Sequence, residues 1–273
     1  MNYTSTNTIL DKIVWRTKED LLRQKREVSL RDLESFENYD RSRRGFEQSI
    51  RKNKDQESDI PNKISIIAEV KKASPSKGVI RSDFDPLDTA KKYEKAGAAA
   101  LSVLTDKPFF QGDLRYLNDI SSITSIPLLR KDFIIDPYQV KEARAYGADA
   151  VLIIVAITNG SQLKELLHAA KEFELDALVE CYSRTEVEEL DWSQVEILGV
   201  NNRDLHTFEV DVHRGVNLLQ MAPESKVKVS ESGLSTPGDL KFLVQNGIDS
   251  ALIGEHFMRQ KDPGDALKRI NQY

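Results

Sequence analysis

The sequence predicts an α/β protein: a (β/α)8 TIM barrel of parallel strands with an N-terminal helical extension. Three observations carry that expectation. Short apolar, β-branched runs alternate with helical patterns from Ile64 onward, and regular βα alternation means a parallel sheet, open or closed. Eight such runs can be counted, which favours closure into a barrel. Polar residues recur at the C-terminal ends of the runs, and in a closed barrel those ends all face one mouth.

Residues 1–62 read as the helical extension and its joint, and 63–273 as the barrel, together one structural domain. Leu10, Ile13, Val14, Leu21 and Leu22 fall near a helical period, with Asn7 or Thr8 as the N-cap. Ser29 followed by Asp32 marks a second helix start. Arg41, Arg43 and Arg44 before Phe46 read as a solvated basic turn. The polar stretch 53–62, with Pro61, is the joint to the barrel. The extension is expected to cover the mouth or flank of the barrel and to carry no acid–base group.

The strands are expected at Ile64–Lys71, Ala99–Leu104, Pro127–Lys131, Ala150–Val155, Ala177–Glu180, Glu196–Asn201, Lys226–Ser230 and Ser250–Ile253. Helical patterns between them include Pro86–Ala96, Pro137–Tyr146, Ser161–Phe173 and Pro237–Asn246. Three of these begin at a proline, whose missing N–H does no harm in a first turn. One phrase recurs around Gly97, Gly147 and Gly247: a helical pattern ends at a glycine suited to a left-handed cap, and an apolar strand follows.

Composition narrows the function. The chain of 273 residues is 40% hydrophobic and 30% charged, with a formal net charge of −5. That describes an ordinary globular protein with no overall basic footprint for nucleic acid. The longest apolar run, Ala150–Ile157, is far short of the ~20 residues that span a bilayer. Cys181 is the only cysteine, so no intrachain disulfide is possible and a reducing, cytoplasmic setting is expected.

The strand ends hold the chemistry. Alternation puts Glu69 and Lys71 on one face with Ser65 and Ile67. It puts Lys131 in line with Leu129 and Phe133, Glu180 with Leu178, Asn201 with Gly199 and Arg203, and Glu231 with Val229. Burial lowers a lysine pKa and a neighbouring carboxylate raises it. Lys71 and Lys131 are therefore candidate proton donors and the glutamates candidate acceptors, although an enclosed lysine could also form a Schiff base. Ser232-Gly233 and Gly254-Glu255 follow the last two strands, where small residues let backbone N–H groups approach a phosphate. Ser74 and Ser76 are secondary candidates to close over the substrate. No G-x-G-x-x-G, Walker or H-E-x-x-H pattern occurs, so no metal is expected, and His168 and His256 are read as structural.

Taken together, the phrases I-A-E-V-K-K-A-S-P-S-K-G, L-L-R-K-D-F-I-I-D-P-Y-Q, G-A-D-A-V-L-I-I-V, G-V-N-N-R-D-L, S-E-S-G and L-I-G-E resemble the indole-3-glycerol-phosphate synthase family of tryptophan biosynthesis. They run in the family's order from about Ile64 to Met258. The resemblance implies a cofactor-free lyase that closes the ring of 1-(2-carboxyphenylamino)-1-deoxyribulose 5-phosphate with loss of carbon dioxide and water. It implies Lys131 as general acid in ring closure and Lys71 as a substrate ligand and donor for dehydration. Glu69 and Glu180 would be base and stabilisers of positive charge. Asn201 would hold sugar hydroxyls, Arg203, Glu231 and Ser232 would complete the mouth, and Phe133 would pack on the aromatic ring. Gly233, Gly254 and Glu255 fall at the phosphate loops. Ala73 departs from the pattern, standing where some members carry a lysine near the phosphate. The expected partner is a small phosphosugar, with no nucleic acid or membrane, on a monomer or weak homodimer. Two other readings remain at this point: an aldolase barrel forming a Schiff base at Lys131, and a phosphosugar-binding barrel without catalysis.

Overall fold

The computed structural model describes residues 9–51, 63–158, 160–204 and 209–272. The N-cap expected at Asn7 or Thr8 and the joint over 53–62 lie outside the described residues. Eight strands close into a barrel: β1 Ser65–Val70, β2 Ala100–Leu104, β3 Leu128–Lys131, β4 Ala150–Ile154, β5 Asp176–Cys181, β6 Ile197–Asn201, β7 Val227–Glu231 and β8 Ser250–Ile253. Every pairing is parallel, and β1 bonds to both β2 and β8. No expected strand bound moves by more than one residue. Helices follow the strands, and Pro86, Pro137 and Pro237 each open one behind a side-chain cap from Asp85, Asp136 or Thr236.

Alternation along the strands sorts side chains into two layers. Ile67, Leu129, Leu152, Leu178, Val229 and Leu252 fill the barrel interior. Ile66, Ala68, Val70, Val151, Val179 and Val200 face the helices. Glu69, Lys131, Glu180 and Glu231 share the phase of the interior residues, so they emerge at its C-terminal end.

The N-terminal extension works at both ends of the barrel. The helix Ile9–Glu27 brings Ile9, Leu10 and Ile13 to the cavity at the mouth. The capping box of Ser29 and Asp32 starts the short helix Leu30–Leu33, as expected. Phe46 and Ile50, both fully buried, pack into the interior cluster from the opposite end.

The reading of Arg41, Arg43 and Arg44 as a solvated turn is corrected. Asp149, fully buried ahead of β4, accepts from Arg44 Nε at 2.8 Å, the Arg44 backbone N–H at 2.9 Å and Arg41 Nη2 at 3.4 Å. Arg43 Nη1 donates to the Ala148 carbonyl at 2.7 Å. Burial, and then repulsion from Arg144, lowers Arg43 to about 10. The partners lie about a hundred residues along the chain, so nothing local in the sequence marked the turn as a seam. The recurring phrase at Gly147 and Gly247 also gains a reason. Asp149 accepts from the Leu128 N–H and Asp249 from the Lys228 N–H, so each carboxylate staples its strand to the preceding one.

Candidate active site

The mouth encloses a cavity of about 450 Å³ lined by residues from strands 1, 3, 5 and 6 and from the loops after β7 and β8. At its base Lys131 Nζ lies 2.5 Å from Glu231 Oε2 and 3.4 Å from Glu180 Oε2. Lys71 pairs with Glu69 beside them. Three largely buried carboxylates thus face two ammonium groups. Burial opposes the charge on Lys131, but Glu231, Glu180 and Glu69 outweigh it and raise its pKa. Burial likewise opposes the charge on Glu69, and Lys71 and Lys131 outweigh it, holding this carboxyl below its ordinary value. The surplus negative charge falls on Glu231, the most enclosed of the three. Burial pushes it up to about 8, with Lys131 pulling down and Glu180 pushing further up. The cluster therefore holds Lys131 and Glu69 toward their charged forms, while the Glu231 carboxyl is displaced toward its protonated form.

Gly254 makes room for this cluster. A Cβ there would overlap the Glu69 carboxylate and lie 2.8 Å from the Glu69 Cβ. The loop after β7 is shaped differently: Ser232 and Gly233 both take left-handed backbone conformations, with φ of 71° and 77°. For serine that conformation costs roughly 1–2 kcal/mol, so something outside the loop must hold it.

Asn201 Oδ1 accepts from the Arg203 backbone N–H at 3.0 Å, which leaves the amide nitrogen to donate to a ligand. Arg203 reaches Glu255 at 3.4 Å, and Glu255 also pairs with Arg259 at 3.0 Å. The Glu255 carboxylate thus orients two guanidinium groups at the rim.

Leu10, Ile13, Phe110, Phe133, Leu152 and Ile154 add an apolar lining to the cavity. Phe133 packs against Phe110 with ring centroids 6.0 Å apart. Ser74 and Ser76 line the cavity from the loop after β1, and the Ser74 hydroxyl is buried without a hydrogen-bond partner among the described residues. Ala73 is buried in a small hairpin with Val79 and offers no cation.

All fourteen candidate site residues singled out in the sequence line this one cavity except Glu231, which reaches it through Lys131. Several lining residues escaped the sequence reading: Ile9, Leu10 and Ile13, Phe110, Lys77, Leu234, Ser235 and Arg259. His256, expected to be structural, also lines the cavity. Its position one residue past Glu255 was the available signal. Among the described residues no His, Cys, Asp and Glu side chains converge as a metal site requires, and no helix is long and apolar enough to cross a membrane.

The comparisons with known proteins bear on this mouth. The family model of indole-3-glycerol phosphate synthase matches residues 10–270. The chain belongs to the indole-3-glycerol phosphate synthase family. A relative of that name from Salinibacter ruber is 46% identical over 265 residues, spanning 96% of this chain and 95% of its own. Another from Desulfotalea psychrophila is 46% identical over 263 residues, spanning 96% and 98%. Among solved structures, 3-hexulose-6-phosphate synthase from Salmonella typhimurium superposes with a TM-score of 0.63 at 15% identity, over 77% of this chain and 97% of that one. A mutant tryptophan synthase α-subunit from Pyrococcus furiosus gives 0.57 at 13%. At such identities these two speak for the barrel fold alone. The family brings the synthase activity to a mouth whose acid–base groups are already in reach of one another.

Proposed function

We propose that this mouth synthesises indole-3-glycerol phosphate from 1-(2-carboxyphenylamino)-1-deoxyribulose 5-phosphate using only its own side chains. The observation that carries the reading is Lys131 held between Glu231 and Glu180 in a cavity that Phe110, Phe133, Leu152 and Ile154 also line. The ring carbon bearing the carboxylate attacks the ribulose carbonyl, and Lys131 protonates the oxygen as the new bond forms. The carboxylates keep Lys131 charged, and an ammonium can donate to a carbonyl oxygen as it becomes an alkoxide, a far stronger base. Carbon dioxide then leaves and restores aromaticity.

The new hydroxyl departs as water with a proton from Lys71, and a ring proton passes to a carboxylate. Glu69 and Glu180 face the positive charge that develops on the anilino nitrogen. Phe133 and Phe110 pack on the aromatic ring, and Asn201 orients the sugar hydroxyls. The phosphate lies against the backbone N–H groups of Gly233 and Gly254, with Arg203 nearby and Glu255 acting through the guanidinium groups it orients. The raised Lys131 pKa also disfavours the free amine that a Schiff base needs.

Incubating the purified protein with this substrate should produce indole absorbance and fluorescence with stoichiometric carbon dioxide, and borohydride should trap no adduct. A trapped adduct at Lys131, without indole, would replace the reading with an aldolase.

A further inference from the structure

Beyond the residues that face the substrate, Asn202 is buried to 1% exposure at the end of β6, on the side turned away from the cavity. Its amide nitrogen donates to Ser230 Oγ at 3.0 Å and to the Ser232 carbonyl at 2.9 Å. Its backbone N–H donates to the Glu231 carbonyl at 2.8 Å, and its own carbonyl accepts from Asp211. One side chain therefore ties β6 to the turn that follows β7.

We propose that Asn202 is a positioning residue for the phosphate loop, aiming the Gly233 N–H into the mouth by pinning the Ser232 carbonyl outside it. The proposal rests on the reading of Ser232-Gly233 as a phosphate site. The Ser232 carbonyl and the Gly233 N–H belong to one planar trans peptide, so they point in opposite directions. Fixing the oxygen toward Asn202 fixes the N–H toward the cavity that Gly233 lines. The same bond supplies the restraint that a serine at a φ of 71° needs.

The orientation of the amide follows from its partners. The Ser232 carbonyl only accepts, so the amide nitrogen must face it. Asn202 Oδ1 then points the other way and has no hydrogen-bond partner among the described residues. It occupies space left by Gly215 on the helix Val212–Leu219, where a Cβ would overlap Oδ1 and lie 3.0 Å from Cγ. A buried acceptor without a donor is unfavourable, so this asparagine sits where fold stability alone gives little reason for it. Gly215 thus serves the phosphate loop from a helix that does not line the cavity.

The test uses the whole chain and three variants: Asn202→Asp, which keeps the shape but presents an acceptor to the Ser232 carbonyl, Gly215→Ala, which displaces the amide, and Gly233→Val in the loop itself. Titrating indole-3-glycerol phosphate by fluorescence, with inorganic phosphate as competitor, reports the phosphate subsite, and kcat at saturation reports the chemistry. For Asn202→Asp and Gly215→Ala, Kd and the inhibition constant of inorganic phosphate should rise together, by roughly tenfold to a hundredfold. The kcat should stay within about threefold of wild type, as loss of uniform binding requires. Lower thermal stability with an unchanged phosphate inhibition constant would overturn the proposal and leave Asn202 a structural residue. Failure of inorganic phosphate to compete in the wild type, or competition unaltered by Gly233→Val, would instead remove the phosphate reading and the proposal with it.

Discussion

The two ends of this barrel both bury charge, and they treat it in opposite ways. At the floor both oxygens of Asp149 are partnered, by two arginines and two backbone N–H groups. Of these groups only Arg41 Nε is buried without a hydrogen-bond partner among the described residues. At the mouth three carboxylates share two lysines, and Glu231 keeps one buried oxygen without a hydrogen-bond partner among the described residues. A satisfied network holds shape. A cluster with surplus charge stores protons that can move, at some expense in stability. Mutations at the two ends should therefore separate activity from stability.

The largest expected effect is at the mouth. Lys131→Ala should lower turnover per folded molecule by roughly 10²–10⁴-fold, the usual worth of a positioned proton donor. It should also lower the thermal midpoint, because Glu231 and Glu180 lose their buried cation. Steady-state fluorescence assays beside thermal melts measure both. At the floor Asp149→Ala should lower stability alone. Breaking a buried pair costs about 3–5 kcal/mol, because the guanidinium and N–H groups of Arg44 lose their partner. Urea denaturation should register that loss while kcat per folded molecule stays unchanged. If Asp149→Ala instead slowed the folded enzyme, the division between the two ends would be wrong.

Gly254→Ala probes the mouth with one methyl group. The added Cβ must displace Glu69, and a shift of that size can cost up to about 10²-fold in kcat. Turnover per folded molecule should fall, beside a stability loss of about 1–3 kcal/mol from overpacking, and wild-type kcat would show that Glu69 needs no fixed place.

The smallest effect is a slope. Glu231 is raised from an ordinary 4.5 to about 8, so across that window the native chain keeps a proton that the unfolded chain has released. Its contribution to stability is fully present below the window and falls as pH rises through it. Glu231→Gln imitates the protonated form and should flatten that fall. Urea midpoints collected across the window decide the matter, and parallel wild-type and variant curves would count against a protonated Glu231.

Much of this was legible because strand alternation is strict. Ile67, Glu69 and Lys71 fall in one phase, so an inward-facing residue near the start of a strand predicts the side chain at its end. The resemblance in I-A-E-V-K-K-A-S-P-S-K-G and R-K-D-F then supplied the chemistry. What stayed hidden depends on contacts between distant segments. Ile9, Leu10 and Ile13 reach the cavity only because the first helix folds over the mouth. Arg44 reads as solvated until Asp149 is brought to it. Asn202 faces away from the mouth, so alternation marks it as uninteresting, and only the backbone of Ser232 shows what it holds.

Mobile protons at the mouth, rather than charge alone, are tested most directly by Lys131→Arg. Arginine keeps the positive charge beside Glu231 and Glu180 but gives up a proton poorly. Measured at saturating substrate, its turnover should stay at least about 10²-fold below wild type, close to that of Lys131→Ala. Turnover comparable with wild type would show that charge alone suffices, and Lys131 would no longer be the acid.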